Sequence, residues 1–456
     1  MGGDFARRAA ALVAAALLLS SGSAAAAQDP AADGSAAAPA AAADVVPPEP
    51  EDEDPAAVPV TETPQTIANT FHLELSPRAG VWTHDRELND QTVTAVGSLR
   101  GRVTPSYGAL DGYAEGFVQA VSEQGWSGDL VEAWMRVTSG SFEVKAGREI
   151  IVWGRADGLN PTDVISSRDY TLLVADDEEQ RRGNMMIQAR YISGAWTFDA
   201  FWLPEFRPNV FPIDTDRPGV AIAPDQRIND NQQFALKLDH TGGSLDWSLS
   251  WFHGIDRTRD FVALPETPPG FLVEVQQRYP AINMFGADLA GTLGRIGYRA
   301  EVAFTAVEGP NTIYKKNSNI WFVGGIDTTL DNGWHVNLQY SFRYIFDYSD
   351  PLDIPNPIKR AVAAQSAAVN NQLTETQSGV TFSASKSFLQ DTLDVQLQSV
   401  VYIQDANAAL MPMVTYAITD TVRLSVGADI FIGPELSYFG RVSSISGGYV
   451  QLNFGF

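Results

Sequence analysis

Residues 449–456 read YVQLNFGF, in which every second side chain from Val450 to Phe456 is apolar. Successive side chains of a β-strand point to opposite faces, so this alternation gives one strand an apolar face and a polar face. Such a strand can cross a membrane with its apolar face on lipid and its polar face on an aqueous interior. One strand of this kind can arise by chance, so the fold depends on whether the pattern recurs.

The same alternation recurs along the chain from Phe71 onward. Apolar residues occupy every second position in residues 245–251, 296–304 and 336–344, and in 393–403 except at Ser399. Soluble β-sandwiches also alternate, but a pattern sustained over residues 71–456 is far longer than their usual repeats. The sequence therefore predicts an all-β protein, a transmembrane antiparallel up-and-down β-barrel.

The connections between strands provide an independent test. We count about 18 strands, or 16 if one hairpin is misread. Alternate connections are tight and contain Gly, Asn, Asp or Pro, which supply hairpin geometry: 105–111, Gly140, 193–194, 242–243, 293–294, 331–333, 389–391 and 419–420. The intervening connections are mostly long: 154–183, 205–229, 254–280, 307–317, 346–371 and 433–447. This alternation is typical of short periplasmic turns and long extracellular loops.

Composition excludes several classes of function. The 456 residues include 55 acidic and 31 basic side chains, giving a net charge of -24, which argues against a nucleic-acid partner. With no cysteine, the chain can form no disulfide, zinc-cysteine site or iron-sulfur cluster. The five histidines are scattered, and no nucleophile motif or paired-acid constellation is apparent. We therefore expect no enzyme activity, catalytic residue, metal site or cofactor.

The N-terminal residues predict export. Arg7 and Arg8 precede an apolar run and a small-residue stretch, which together predict a signal peptide at 1–27. Residues 28–66 are rich in Ala, Pro and acids and contain no Lys or Arg, so we interpret them as a disordered periplasmic linker. A binding tail for a cationic partner is the alternative. We expect residues 67–456 to form the barrel and residues 28–66 to be unable to fold into a plug.

Taken together, these features resemble a bacterial outer-membrane porin. The strand count and the inward arginines are more loosely similar to the 18-stranded alginate-export type of channel. The resemblance implies outer-membrane lipid and lipopolysaccharide around the barrel, assembly by the β-barrel assembly machinery with Phe456 as its signal, and small hydrophilic solutes as cargo. A homo-oligomer is a further expectation.

The polar side of the alternation predicts the residues that line the pore. They carry both signs of charge: Arg100, Arg102, Arg136, Lys145, Arg190, Lys237, Arg295, Arg299, Arg343, Arg423, Glu115, Glu132, Glu143 and Glu301. An excess of cations on the wall would favour anionic or carbohydrate solutes. Alternatively, these residues form cross-strand ion pairs that hold the wall and select nothing.

The connection after Trp153 is unusually long, and structureless loops of that length are uncommon. It either folds inward and constricts the pore or forms a packed extracellular cap. The candidate constriction residues are Trp153, Arg155, Asp157, Asp163, Arg168, Asp169 and Tyr170. We expect the acidic run Asp176–Glu179 to be a solvated surface segment.

The leading hypothesis is a channel for passive diffusion of small hydrophilic solutes, either anionic or carbohydrate. The first alternative is an export channel for an acidic polysaccharide. The second is a surface scaffold or adhesin, a barrel closed by loops that conducts nothing.

Overall fold

The computed structural model describes residues 70–84, 93–211, 218–226, 228, 231–309, 312–404, 406–434 and 437–455. The predicted signal peptide, the linker and Phe456 lie outside the described residues. Eighteen antiparallel strands form one closed sheet.

The first nine strands are β1 Thr70–Trp82, β2 Thr94–Tyr107, β3 Leu110–Val121, β4 Gly125–Ser139, β5 Phe142–Glu149, β6 Asn184–Ser193, β7 Trp196–Leu203, β8 Gln233–His240 and β9 Leu245–Ile255. The second nine are β10 Ala281–Leu293, β11 Ile296–Val307, β12 Asn319–Thr329, β13 His335–Ile345, β14 Thr376–Phe388, β15 Leu393–Tyr402, β16 Asn407–Thr419, β17 Val422–Ile432 and β18 Gly447–Phe454.

Each strand pairs with its neighbours in sequence, and the sheet closes between β1 and β18. In the closing pair, Arg78 lies opposite Asn453 and Trp82 lies opposite Tyr449. Because every ladder of this sheet is antiparallel, the barrel has up-and-down topology. The predicted fold class and the count of 18 strands are both confirmed.

The alternation of the sequence separates two faces of the wall. Side chains on the apolar side are solvent-exposed at the outer surface: Leu99 is 41% exposed, Val118 51% and Phe285 53%. Their polar neighbours in sequence point inward, where Glu301 is buried. Period-two patterning therefore determines which side of the wall each residue faces. No helix among the described residues is long and apolar enough to span a membrane.

Eight turns of two to five residues join the strands at the end where β1 begins and β18 ends, which we call the turn end. Gly140 and Gly294 adopt positive φ values of 59° and 62°, which residues with a side chain rarely adopt. The tight connections predicted from sequence are therefore confirmed.

The opposite end, which we call the loop end, contains ordered structure that the sequence analysis did not predict. Helix α1, Pro357–Val369, begins after Asn356, whose side chain accepts hydrogen bonds from the backbone nitrogens of Ile358 and Lys359, each at 3.0 Å. A small sheet combines Val220–Ile222, Val273–Arg278 and Asp260–Ala263.

These loops fold into the mouth of the barrel and share one buried apolar cluster with the inner wall. Wall residues Val323, Val400, Tyr402, Ala409 and Phe431 contribute to it. Loop residues in the same cluster include Leu159, Tyr170, Phe211, Val362, Ala363 and Phe439. The loops are thus packed against the inside of the wall instead of extending away from it.

Candidate functional site

The connection between β5 and β6, residues 150–183, lies inside the barrel; we call it the inserted loop. Its first attachment is Glu301 on β11, which is 1% exposed. The Glu301 carboxylate accepts hydrogen bonds from the Thr162 nitrogen and hydroxyl, each at 2.7 Å, and from the Ala156 nitrogen at 3.2 Å. Gly154 has φ of 94° and lies so close to this carboxylate that a Cβ atom would overlap it.

Charged pairs hold the neighbouring part of the inserted loop to other strands. Arg155 forms ion pairs with Asp288 on β10 and, at 3.4 Å, with Asp239 on β8. Asp157 forms an ion pair with Arg299 on β11 at 2.6 Å. Burial raises the pKa of Asp157, and the Arg299 guanidinium opposes that shift. The first half of the loop is therefore fixed to strands β8, β10 and β11.

The second half of the inserted loop reaches the far side of the barrel. Glu179 contacts Arg78 on β1 and lies 3.3 Å from Arg100 on β2. The Ala175 nitrogen donates to the Gln451 side chain on β18 at 3.2 Å. Since one half is attached near β10 and the other near β1, the loop crosses the interior.

The position of Asp176–Glu179 corrects the expectation of a solvated surface segment. These side chains are half-buried. Arg78 and Arg100 on the wall supply counter-charge to Glu179, and Arg168 and Arg181 of the loop itself supply it to Glu178. Local sequence gives no sign of this burial, because the guanidiniums that contact Glu179 lie on β1 and β2, far from it in the chain.

Ion pairs within the inserted loop give it a defined shape. Arg181 forms ion pairs with Asp163, at 2.6 Å, and with Glu178, which also lies 3.2 Å from Arg168. Burial alone would lower the pKa of Arg181, but the two carboxylates hold that pKa above its ordinary value. Short strands Ser167–Arg168 and Arg181–Arg182 pair beside these contacts.

The aromatic members of the predicted constriction set are packing residues. Trp153 is 3% exposed and its ring lies 6.0 Å from that of Phe201. Tyr170 stacks on Phe211 with ring centroids 4.9 Å apart. Asp169 accepts hydrogen bonds from the nitrogen and hydroxyl of Thr171. Arg155, Asp157 and Asp163 are the predicted residues that make the long-range ion pairs.

Most of the predicted pore-lining cations contact acids. The pairs are Arg100–Glu115, Arg102–Glu74 at 3.2 Å, Arg136–Asp111 at 3.0 Å, Arg136–Glu143 at 3.8 Å, Lys145–Glu149 at 2.6 Å, Arg190–Asp199 at 2.7 Å, Lys237–Asp239 at 3.0 Å and Arg299–Asp327 at 2.5 Å. Glu132 accepts a hydrogen bond from the Ile150 nitrogen at 2.8 Å. The geometry thus favours the ion-pair interpretation for this part of the wall.

Three predicted cations lie away from the middle of the wall. Arg295 lies in the turn between β10 and β11, 68% exposed and paired with Asp331, because the alternation was extended one residue into a turn. Arg423, the second residue of β17, is exposed at the turn end. Arg343 is buried and donates to the Asn319 side chain and to the carbonyls of Asn370 and Asn371.

The site also contains acids that the sequence analysis missed. Asp199, Asp288 and Asp327 lie on β7, β10 and β12, where they contact Arg190, Arg155 and Arg299. Each occupies an inward position in its strand, so the alternation contained the signal. Arg190 lies opposite Asp199 across one hairpin, whereas the partner of Asp288 lies in the inserted loop and was not readable from local sequence.

A cavity of about 820 Å³ lies beside the inserted loop, between it, the loops at 346–375 and 433–446, and the wall. Its lining combines charged, amide and aromatic groups, among them Arg155, Asn160, Trp321, Asn371, Tyr402 and Tyr438.

Comparisons with known proteins identify the fold. No family model matches the chain, and no curated protein matches its sequence. The crystal structure of Pseudomonas aeruginosa OccD3 (OpdP) is similar with a TM-score of 0.52 and 12% identity, over 86% of this chain and 92% of that one. Pseudomonas aeruginosa OccK11 (OpdR) gives 0.50 and 11%, over 85% and 96%. The chain has the closed barrel fold of bacterial outer-membrane porins.

Proposed function

We propose that this protein is an outer-membrane channel through which small hydrophilic solutes diffuse passively. The observation that carries the proposal is the inserted loop, attached on two sides inside a closed barrel and bordered by a cavity of about 820 Å³. The outward apolar side chains suit lipid contact, and the inward polar ones suit water.

The inserted loop would act as a fixed constriction. Its attachments at Glu301 and Glu179 lie on opposite sides of the interior, so the loop narrows the passage without needing a moving gate. Ion pairs inside the loop, such as Arg181–Asp163, would keep its shape. The channel would therefore select mainly by size.

Selectivity for charge follows from how the wall cations are paired. Arg100, Arg136 and Arg190 each contact a carboxylate, which cancels much of the field that a free cation would project into the lumen. The proposal is accordingly a channel for hydrophilic solutes with weak ionic preference. A track of unpaired cations, which export of an acidic polysaccharide would need, has no support from these contacts.

The chain from residue 28, refolded and inserted in a planar lipid bilayer, tests the proposal. We expect discrete ohmic conductance steps and a reversal potential near zero in a salt gradient. A correctly folded, heat-modifiable barrel that conducts nothing would overturn it. Phe456 as assembly signal, lipopolysaccharide contact and a homo-oligomer remain parts of the proposal.

One observation favours the surface-scaffold alternative. The loops at the loop end share an apolar cluster with wall residues such as Val400 and Phe431, which occupies part of the mouth. A folded barrel without conductance would support this alternative, so the same experiment decides between the two.

A further inference from the structure

Most of the charged groups that line the cavity are paired with groups of opposite charge. Arg155 and Asp157 pair with wall residues, Arg168 and Arg181 pair with Glu178, and Lys316 pairs with Asp256. A charged ligand would have to displace one of these partners, which costs the desolvation of the group left behind.

Two further cations that line the cavity are held by uncharged oxygens. Arg257 is 4% exposed and donates to the Ile165 carbonyl and to the Gln233 side chain, each at 2.9 Å. Arg343 is the second. Arg343 donates to the Asn319 side chain at 3.0 Å and to two backbone carbonyls at 3.3 Å. Its guanidinium lies 5.1 Å from the centre of the Trp321 ring. Through these hydrogen bonds, Arg343 holds the end of α1 against the wall.

One part of the lining is aromatic and amide, formed by Trp321, Asn371, Tyr402 and Tyr438. The rings of Tyr402 and Tyr438 meet edge to face with centroids 5.0 Å apart. Within the described part of the chain, the Tyr438 hydroxyl has no hydrogen-bond partner, although the residue is 5% exposed and lines the cavity. The Asn371 amide donates to the Tyr402 hydroxyl at 3.3 Å.

Beyond the cavity, the wall formed by β13–β16 is uncharged in its central rows. Strand register aligns Asn337 with Ser383, Ser383 with Gln398, and Gln398 with Met411. The next row aligns Ser385, Gln396 and Met413. Strands β7, β10 and β11, by contrast, present Asp199, Asp288 and Glu301 to basic groups or to the inserted loop.

We propose that the cavity binds a neutral, polyhydroxylated solute of about disaccharide size, which then moves along the uncharged rows of β13–β16. Sugar hydroxyls match amide and tyrosine groups, and sugar C–H faces pack on aromatic rings. A volume of about 820 Å³ lies within the range of small-molecule sites. The movement rests on the proposed channel function, whereas the binding does not.

Lactose and its anionic counterpart lactobionate are suitable probes, with binding to the refolded chain measured by calorimetry in detergent. We expect lactose to bind more tightly than lactobionate. Tyr438→Phe removes one hydroxyl, and should raise the lactose Kd about three- to tenfold, as loss of one hydrogen bond does. Tyr416→Phe is the control, because Tyr416 is 43% exposed on the outer face.

The outcomes separate this site from the channel proposal. Tighter binding of lactobionate, or an unchanged lactose Kd in Tyr438→Phe, would overturn the site. Conductance without lactose binding would overturn the site and leave the channel standing. Lactose binding without conductance would overturn the channel and leave the binding site standing. If Tyr438→Phe does not fold, Asn371→Gly tests the same site, because glycine tolerates the positive φ of 51° at that position.

Discussion

Glu301 on the barrel wall accepts hydrogen bonds from both the backbone nitrogen and the hydroxyl of Thr162, each at 2.7 Å. With the Ala156 nitrogen as third donor, one carboxylate satisfies two backbone amides of the inserted loop. Buried amides are costly to leave unpaired. This attachment therefore fixes the position of the inserted loop and also stabilises it.

Replacing Glu301 by Ala should release residues 154–162 from the wall. Hydrogen bonds to a charged acceptor contribute about 1.5–3 kcal/mol each, so losing three of them should allow the segment to move. We expect larger and noisier single-channel conductance. Glu143→Ala is the matched control, since Glu143 contacts Arg136 on the adjoining strand. Equal conductance in the two variants would show that Glu301 does not hold the constriction.

Asp288→Asn should leave the Arg155 guanidinium with less counter-charge near the passage. The reversal potential in a salt gradient should then move toward anion selectivity. The change should be greater in dilute salt than at 1 M, where the Debye length is only ~3 Å. Asp331→Asn is the control, because Asp331 is 91% exposed in a turn. A shift in reversal potential of the same size in both variants would show that the effect comes from net charge alone.

Arg100→Gln should destabilise the barrel, because Glu115 is 5% exposed and would lose its nearest cation. We expect a loss of about 1–3 kcal/mol in the free energy of unfolding, measured by urea titration in lipid vesicles. The double variant with Glu115→Gln should regain part of this loss, since no buried charge is left unpaired. A double variant less stable than the single one would contradict the pairing.

The buried Asp260 side chain should make the stability of the loop packing depend on pH. It is 4% exposed and accepts hydrogen bonds from the Lys316 nitrogen and the Asn370 amide. Burial raises the pKa of Asp260 to about 7, with the Asp256 carboxylate adding to the shift and Lys316 and Asn370 opposing it. The folded loop therefore holds a proton that the unfolded chain releases at a pH near 4.

The sign of the effect follows from this difference. Stability of the loop packing should be greatest below a pH of about 4, fall as pH rises to about 7, and then level off. Hydrogen exchange in α1, corrected for the intrinsic pH dependence, should report it, because Asn370 directly follows the helix. Asp260→Asn should flatten the profile. An equally steep profile in that variant would assign the dependence to another group.

Cysteine labelling can test the orientation, since the chain has no native cysteine. Asp353→Cys, at an exposed position of the loop at 346–375, should react with an impermeant maleimide on intact cells. Asn332→Cys, in a short turn, should react only after the outer membrane is opened. The reverse pattern would invert the barrel in the membrane.

The strands could be predicted because alternation is local: each run of residues contains its own inside and outside. The path of the inserted loop could not, because it depends on pairs such as Arg78 with Glu179, 101 residues apart, and Thr162 with Glu301, 139 apart. Helix α1 could have been predicted in part. Asn356, Pro357 and the alanines that follow are a recognisable helix start, which the long loop concealed.

The closing pair of β1 with β18 has a consequence for the kinetics of folding. It joins residues from the two ends of the barrel, so its loop-closure entropy is among the largest in the chain and is not offset until the whole ladder forms. Until then, both edge strands carry unpaired backbone groups that can pair with another chain. The open sheet that precedes ring closure is therefore the state in which this polypeptide is most exposed to aggregation. The rate of ring closure should determine the yield of folded protein.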